Sequence, residues 1–384
     1  MNTLVSQPFR TLLWVMTAIL ALAYIPFASE YMLQYFTAAA PQWQNQVLAH
    51  AVSEDFAYGP GSIAATQHAH FINHRVAMLL HTVPGSLALL LCIAQFSTRL
   101  RQRYLNVHRL IGRMTMLLVL VSMLAGAVFL LQATPDQSRL GGFANTALLW
   151  GLDLTTLTAM VLAFVAICRK DIQAHRAFVI LMFTMLTTTP LLRYGWLVVA
   201  WFVPTADQLT AQNLAAIFLV TAAPGFAMVA LAMSDGFNRS MPATMMAPPL
   251  ACWLTRLLPV VALVGMAVLC LRMNGMRTGY NMEIFIAQAL PWALSWLVIT
   301  ALLRRARRLG QAASVQHLQV FSWSIALLPV GVNIGWSLFG LFMADSAEAY
   351  MTVAMLGAGG SMYIAYFWIV LHDATFWRRS TQQG

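Results

Sequence analysis

Residues 74–96 read HRVAMLLHTVPGSLALLLCIAQF, and the 21 residues after Arg75 contain no aspartate, glutamate, lysine or arginine. About 20 helical residues cover the roughly 30 Å of hydrocarbon in a bilayer. The apolar residues here are continuous rather than alternating, so the run reads as a membrane helix and not as a barrel strand. Comparable runs recur on both sides of it, giving ten expected spans at roughly 11–34, 72–96, 114–133, 143–167, 177–203, 214–233, 251–273, 283–303, 318–343 and 351–372. The predicted fold is all-α, a polytopic transmembrane bundle of about ten helices.

Composition points the same way. The 384 residues are 60% hydrophobic and 9% charged, with a mean hydropathy of +0.71. A soluble domain carries about 25% charged residues, so a soluble globular protein, a disulfide scaffold and a disordered chain are all excluded. The net charge of +10 does not indicate nucleic acid, because the basic residues sit in short clusters between apolar runs. Arg10, the group Arg99, Arg101, Arg103, Arg109 and Arg113, then Arg169, Lys170 and Arg176, then Arg304 to Arg308, and finally Arg378 and Arg379 all fall on one face. The positive-inside rule makes that face cytoplasmic, and an even number of spans puts both termini there. This predicts a multi-pass protein of a bacterial inner membrane, in contact with the lipid bilayer and with no nucleic-acid partner.

Two regions are expected: residues 1–245, with six spans and most of the histidines, and residues 246–384, with four further helices packed on the same bundle. The first apolar run exceeds a signal-peptide core and reads as an uncleaved helix. The longest interspan loop, 35–71, reads as too short and too polar for a core of its own. Any chemistry is then built from helix ends and the bundle interior. The four cysteines, Cys92, Cys168, Cys252 and Cys270, read as free thiols.

Nine histidines among so few charges are the most informative feature. His108, His175, His317 and His372 fall at cytoplasmic helix ends, and His50, His68, His70 and His74 at the opposite face. His81 is deeper, about 14 Å into its span at 1.5 Å per residue. If that helix extends back to residue 70, then His70, His74 and His81 share one side, continued by Gly85. Asp153, at similar depth in the fourth span, is the candidate partner of His81, since a lone carboxylate there is costly. His70 and His74, spaced i and i+4, also suit a single transition-metal ion, with His68 as a third ligand. Taken singly, His70 and His74 equally fit water-wetted interfacial residues. His108-Arg109 and His175-Arg176 open two helices at one depth, which suits a haem between imidazole ligands with arginines at its propionates. Gly112 and Gly126 would leave room for the macrocycle. Arg193, five turns after His175, returns to the same helix face; each arginine alone also fits an ordinary membrane anchor.

Taken together, the 74–96 run, RLRQRYLNVHRLIGRM (99–114), GGFANTALLWGL (141–152), RKDIQAHRAFVILM (169–182) and LLRYGW (191–196) resemble a widespread family of bacterial membrane proteins. That family is described only as a predicted membrane domain of unknown function, and the likeness covers residues 72–200. The helix arrangement is also similar to two-haem transmembrane b-type cytochromes and ferric reductases. This second resemblance implies one or two haem b groups, His108 and His175 on the cytoplasmic side, and His74 or His81 on the other. It places Arg75, Arg109, Arg176 and Arg193 around them.

Three functions compete. An electron-transferring b-type haem protein would take electrons from quinol or the cytoplasm and pass them to an acceptor such as a ferric chelate. A proton-coupled small-molecule transporter would use the His81 and Asp153 layer, and predicts broken helices, for which Pro84, Pro190, Pro224, Pro259 and Pro329 are candidates. A non-haem metal enzyme would use His68, His70 and His74 at the periplasmic face.

Overall fold

The computed structural model describes residues 6–132, 142–233, 252–276 and 279–382, and within them the chain is helical with no strand. α1 (Gln7–Glu30) continues through a 3-10 turn, Tyr31–Tyr35. Four short helices follow: α2 (Trp43–Ala51), α3 (Glu54–Tyr58), α4 (Ile63–Thr66) and α5 (His68–Asn73). Then come α6 (Arg75–Gln95), α7 (Thr98–Arg103), α8 (Leu105–Leu131), α9 (Gly142–Cys168), α10 (Ile172–Phe202), α11 (Gln208–Thr221) and α12 (Ala223–Met233). α13 (Cys252–Met273), α14 (Asn281–Arg308), α15 (Ala312–Phe339) and α16 (Ser346–Gln382) complete the order. Among the described residues eight helices are long and apolar enough to cross a membrane: α1 with its extension, α6, α8, α9, α10, α14, α15 and α16. The protein is a multi-pass membrane helical bundle.

One of the ten expected spans takes another form. The one expected at 214–233 is interrupted between α11 and α12, at the Ala222-Ala223-Pro224 sequence. Proline has no N–H, and its ring clashes with the carbonyl four residues earlier, so a helix restarts more easily at Pro224 than it runs through it. The Gly225 N–H then bonds to the Ala222 carbonyl at 2.8 Å. The span expected at 251–273 is the helix α13, Cys252–Met273. By contrast, α6, α10, α13 and α15 run on through Pro84, Pro190, Pro259 and Pro329.

The stretch 35–71, expected to lack a core of its own, folds into short helices that share one with the membrane helices. Its helices begin where serine can accept from an exposed N–H: Ser53 Oγ from Phe56 at 3.0 Å and Ser62 Oγ from Ala65 at 3.1 Å. Glu30 caps α2 from a distance, its carboxylate accepting from the N–H groups of Gln42 (2.7 Å) and Trp43 (3.2 Å). Leu48, Phe56, Ile63 and Phe71 then pack with Tyr31, Phe129, Trp196 and Ala211 into one apolar core. The segment thus borrows half of its core from the ends of α8, α10 and α11, which a local count of its own apolar residues does not register. Polar contacts pin it further: the Ile63 N–H to Gln208 Oε1 at 2.9 Å, and Trp201 Nε1–H to the Ala51 carbonyl at 3.0 Å.

The chain divides into two compact units interleaved in sequence: residues 11–162 with 181–215, and residues 1–10 with 163–180 and 216–384. In the first, α6 and α8 pack as an antiparallel pair joined through α7, whose start is capped by Ser97. In the second, Pro329 removes the N–H that would have bonded to the Ile325 carbonyl, and Trp292 Nε1–H fills the vacancy at 2.9 Å. Asn333 similarly bonds to the carbonyls of Gly265 (2.8 Å) and Pro329 (2.9 Å), tying α15 to α13.

Candidate functional site

Small residues bring α6 and α8 together, and polar ones occupy the space between them. A Cβ added to Gly85 would stand 2.9 Å from Ser122 Oγ. Ser122 Oγ–H donates to the His81 carbonyl at 2.6 Å, and His81 Nδ1 lies 2.9 Å from the Ser122 carbonyl. A carbonyl only accepts, so Nδ1 carries the hydrogen, and in the neutral ring Nε2 carries the lone pair. The tautomer of His81 is therefore set by the backbone of the facing helix.

α9 adds the acid. Asp153 is 7% exposed, in a turn where Thr155 and Thr156 bond back to the carbonyls of Gly151 and Leu152. Among the described residues its carboxylate has neither a hydrogen-bond nor an ion-pair partner. The structure brings it to His81 by way of a glycine: a Cβ at Gly126 would lie 2.8 Å from His81 Nδ1 and 3.2 Å from Asp153 Oδ1. The imidazole and the carboxylate thus flank one point on α8 where no side chain stands. Sequence reasoning placed both residues by depth and missed Ser122; the Ser122-xxx-Gly126 spacing, small residues one turn apart, is the signal that marks a close helix contact.

The cap histidines are arranged differently from the expectation of a continuous stripe. α5 ends at Asn73 and α6 starts at Arg75, with His74 between them at φ −117° and ψ 22°. The bonds His74 N–H to His70 O and Met78 N–H to His74 O, each 3.1 Å, carry the chain across this break. His70 and His74 accordingly stay neighbours, their rings 4.7 Å apart, and His70 packs 4.4 Å from the Phe129 ring. His81 sits beyond the break and turns to Ser122. His68 points elsewhere, 5.7 Å from the Tyr35 ring, because residues two apart on a helix diverge by about 200°. Among the described residues no three of histidine, cysteine, aspartate and glutamate are grouped to hold a metal ion. The expected three-histidine metal site is not assembled.

His70 is buried, and its Nε2 has no hydrogen-bond partner. Burial first, and the neighbouring His74 second, push its pKa down from 6.5 to about 4. Arg75 is tied down as well, with Nη1–H on the Tyr35 carbonyl at 3.1 Å and the guanidinium over the Phe36 ring.

The glycines expected to make room for a haem beside His108 are occupied by protein. Gln95 Oε1 would meet a Cβ on Gly112 at 3.5 Å, and Gln95 Nε2–H bonds to the His108 carbonyl at 2.8 Å. Gly126 faces His81 and Asp153. The space beside Gly112 is therefore taken by the Gln95 side chain and that beside Gly126 by His81 and Asp153. His108 belongs to one compact unit and His175 to the other. His175 holds its Nδ1 2.9 Å from the Ala163 carbonyl, in a first turn capped by Asp171 Oδ1. Arg109 is exposed and Arg176 half-buried, while Arg193 lies over the Trp196 ring at 3.9 Å. His317 is buried in α15, and the side chain of His372 lies outside the described residues.

Comparison with known families adds one finding. Residues 78–232 match the family described as predicted membrane protein (DUF2306). The match runs from α6 to the end of α12 and takes in His81, Ser122, Gly126 and Asp153. No curated protein and no solved structure matches the chain.

Two outcomes follow from this geometry. Gly126→Ala drives a methyl group against His81 and Asp153, and is expected to cost about 1–3 kcal/mol of stability, read as a lowered unfolding temperature in detergent. His70 favours its neutral form in the folded chain, so the unfolded chain binds more protons between pH 6.5 and about 4. Its contribution is complete above pH 6.5 and lost as pH falls through that window; His70→Phe is expected to flatten the pH dependence of the unfolding temperature there.

Proposed function

We propose that this protein is a proton-coupled small-molecule transporter of the bacterial inner membrane, with its arginine-rich helix ends cytoplasmic and with His81 and Asp153 as the proton site. The observation that carries the reading is the position of both groups against Gly126. An ionised aspartate at the centre of a membrane helix costs about 2.5–3.5 kcal/mol on insertion scales. Two arrangements avoid a bare charge: Asp153 as the neutral acid beside neutral His81, or the Asp153 anion beside the His81 imidazolium. The second has one proton on His81 Nε2, since Nδ1–H is already committed to Ser122. The two arrangements share one proton, which moves between Asp153 and His81; its release leaves the Asp153 anion beside neutral His81, a costly state that ties release to the arrival of water or of a compensating charge. The interruption between α11 and α12 supplies the kind of broken helix on which alternating-access proteins rely.

The test is infrared difference spectroscopy of the membrane-reconstituted protein between acid and alkaline pH. A carboxylic C=O band is expected to titrate, to vanish in Asp153→Asn and to move in His81→Gln. A band that survives Asp153→Asn, or is indifferent to His81→Gln, overturns the pair.

A second reading, a b-type haem taking electrons from quinol and passing them to a ferric chelate, is favoured by one observation. His175 commits Nδ1 to a backbone carbonyl and so presents Nε2, the arrangement in which metal-bound histidines are usually held. Haem would supply one-electron chemistry there, with His175 as a candidate ligand. A reduced-minus-oxidised visible spectrum of protein from haem-replete cells decides it: sharp reduced bands lost in His175→Ala establish the cytochrome, and a colourless protein removes it.

A further inference from the structure

α13 packs along α15, a helix long and apolar enough to cross a membrane, and short side chains leave a furrow between the two. Val261, Gly265 and Val268 of α13, spaced by four and three residues, form one stripe, which Arg272 continues by a further turn. At Gly265 the helices nearly touch, since a Cβ there would meet Val330 at 3.0 Å and Pro329 at 3.2 Å. Beside that contact lies a groove of about 340 Å³, lined by Val260, Val261, Val264, Val268, Val330 and Ile334 among others. The side chain of Asn333, also in its wall, is bonded to the Gly265 and Pro329 carbonyls, so the groove presents hydrocarbon. Val260 and Val264 are each 57% exposed, which beside a membrane helix means exposed to lipid.

Arg272, in the last turn of α13, is held by α15. Its guanidinium lies 4.1 Å over the Trp336 ring, and Nη1–H donates to the Asn333 carbonyl at 2.8 Å and to Ser337 Oγ at 3.2 Å. Trp336 is itself fixed, with Nε1–H on the Ser346 carbonyl at 2.9 Å. The guanidinium is thus fastened through Nη1 and the ring face, while Nε and Nη2 are not buried and have no hydrogen-bond or carboxylate partner among the described residues. It stands about 6 Å beyond Val268 at 1.5 Å per residue, at the end of α15 away from Arg304, Arg305, Arg307 and Arg308. Tryptophan and arginine in the last turns of membrane helices mark the level of the lipid headgroups. A planar fork with unused N–H groups at that level matches a phosphodiester, and basic pockets between membrane helices hold anionic heads in this way.

We infer that one anionic phospholipid binds between α13 and α15, with its phosphodiester on Nε and Nη2 of Arg272 and an acyl chain along residues 260–268. That stretch is about 12 Å long, enough to order the upper half of a chain. Arg272 has no paired carboxylate among the described residues, so its charge is left for a head with net negative charge. His81 and Asp153 belong to the other compact unit, and the inference does not rest on the proton site.

The experiment is thermal unfolding of the full chain in non-ionic detergent, titrated at equal ionic strength with phosphatidylglycerol, with phosphatidylcholine of the same chains, or with glycerophosphate. Saturable stabilisation by phosphatidylglycerol, greater than that by phosphatidylcholine, supports the site; glycerophosphate is expected to do little, having no chain for the groove. Arg272→Gln keeps an amide for the Asn333 carbonyl and removes the charge, so the affinity for phosphatidylglycerol is expected to fall about tenfold, the worth of a hydrogen bond to a charged group. Val264→Phe, at an exposed position, narrows the groove with Arg272 intact and is expected to weaken the same lipid; it serves alone if Arg272→Gln does not fold. No stabilisation by phosphatidylglycerol, an equal effect of phosphatidylcholine or glycerophosphate, or an unchanged affinity in either variant overturns the inference. A dimer in detergent that Val264→Phe splits puts a second copy of the chain in the groove and overturns it as well.

Discussion

Inside hydrocarbon no water is available to bond a stray N–H or C=O, so each backbone group must find its partner within the protein. That constraint makes the chain helical, and it also explains where its few polar side chains go. Trp292 serves the carbonyl that Pro329 orphans, Asn333 serves Pro329 and Gly265, and Gln95 reaches the His108 carbonyl. His81 and Ser122 bond reciprocally to each other's backbone across the α6 and α8 contact. In all of these a polar group is buried because another polar group needs it, and the net result is helix-to-helix adhesion in a medium where apolar surface gives little.

Against that background the groups that are not satisfied stand apart. Asp153 has no partner among the described residues, and Arg193 and Trp196 together present buried N–H groups with no acceptor. Each is a cost that the fold itself does not recover, and other buried atoms, such as Gln67 Oε1, His70 Nε2 and Thr82 Oγ1, also have no hydrogen-bond partner. An acid beside a tautomer-fixed imidazole is suited to proton exchange. Both arrangements lie in the unit formed by residues 11–162 and 181–215, and Asp153, Arg193 and Trp196 fall within the stretch matching the membrane family.

Much of this was legible in the residues. The length and continuity of the apolar runs gave the apolar stretches of α6, α8, α9, α10, α14, α15 and α16, although α8 begins nine residues before its expected span and α16 continues beyond it, because hydropathy over about 20 residues is a physical requirement rather than a tendency. Depth counting put His81 and Asp153 at comparable levels, since a helix advances by a constant rise. The 35–71 segment does lack enough apolar residues for its own core, and the ends of α8, α10 and α11 supply the remainder. Other readings failed for identifiable reasons. The histidine stripe assumed one helix through residue 74, where the backbone breaks. Gly112 and Gly126 were seen as open space, whereas Gln95, His81 and Asp153 fill it.

The sequence alone therefore determined the class of solvent this chain lives in and the segments that cross it, because both follow from transfer free energies summed along the chain. Which polar residues meet depends on helix rotation, on where an apparent helix breaks and on which glycine lets a third helix approach. Those are set by packing between segments far apart in sequence, and a one-dimensional pattern does not contain them. The convergence of His81 and Asp153 on Gly126, and the unanswered donors of Arg193 and Trp196, were decided by the tertiary structure.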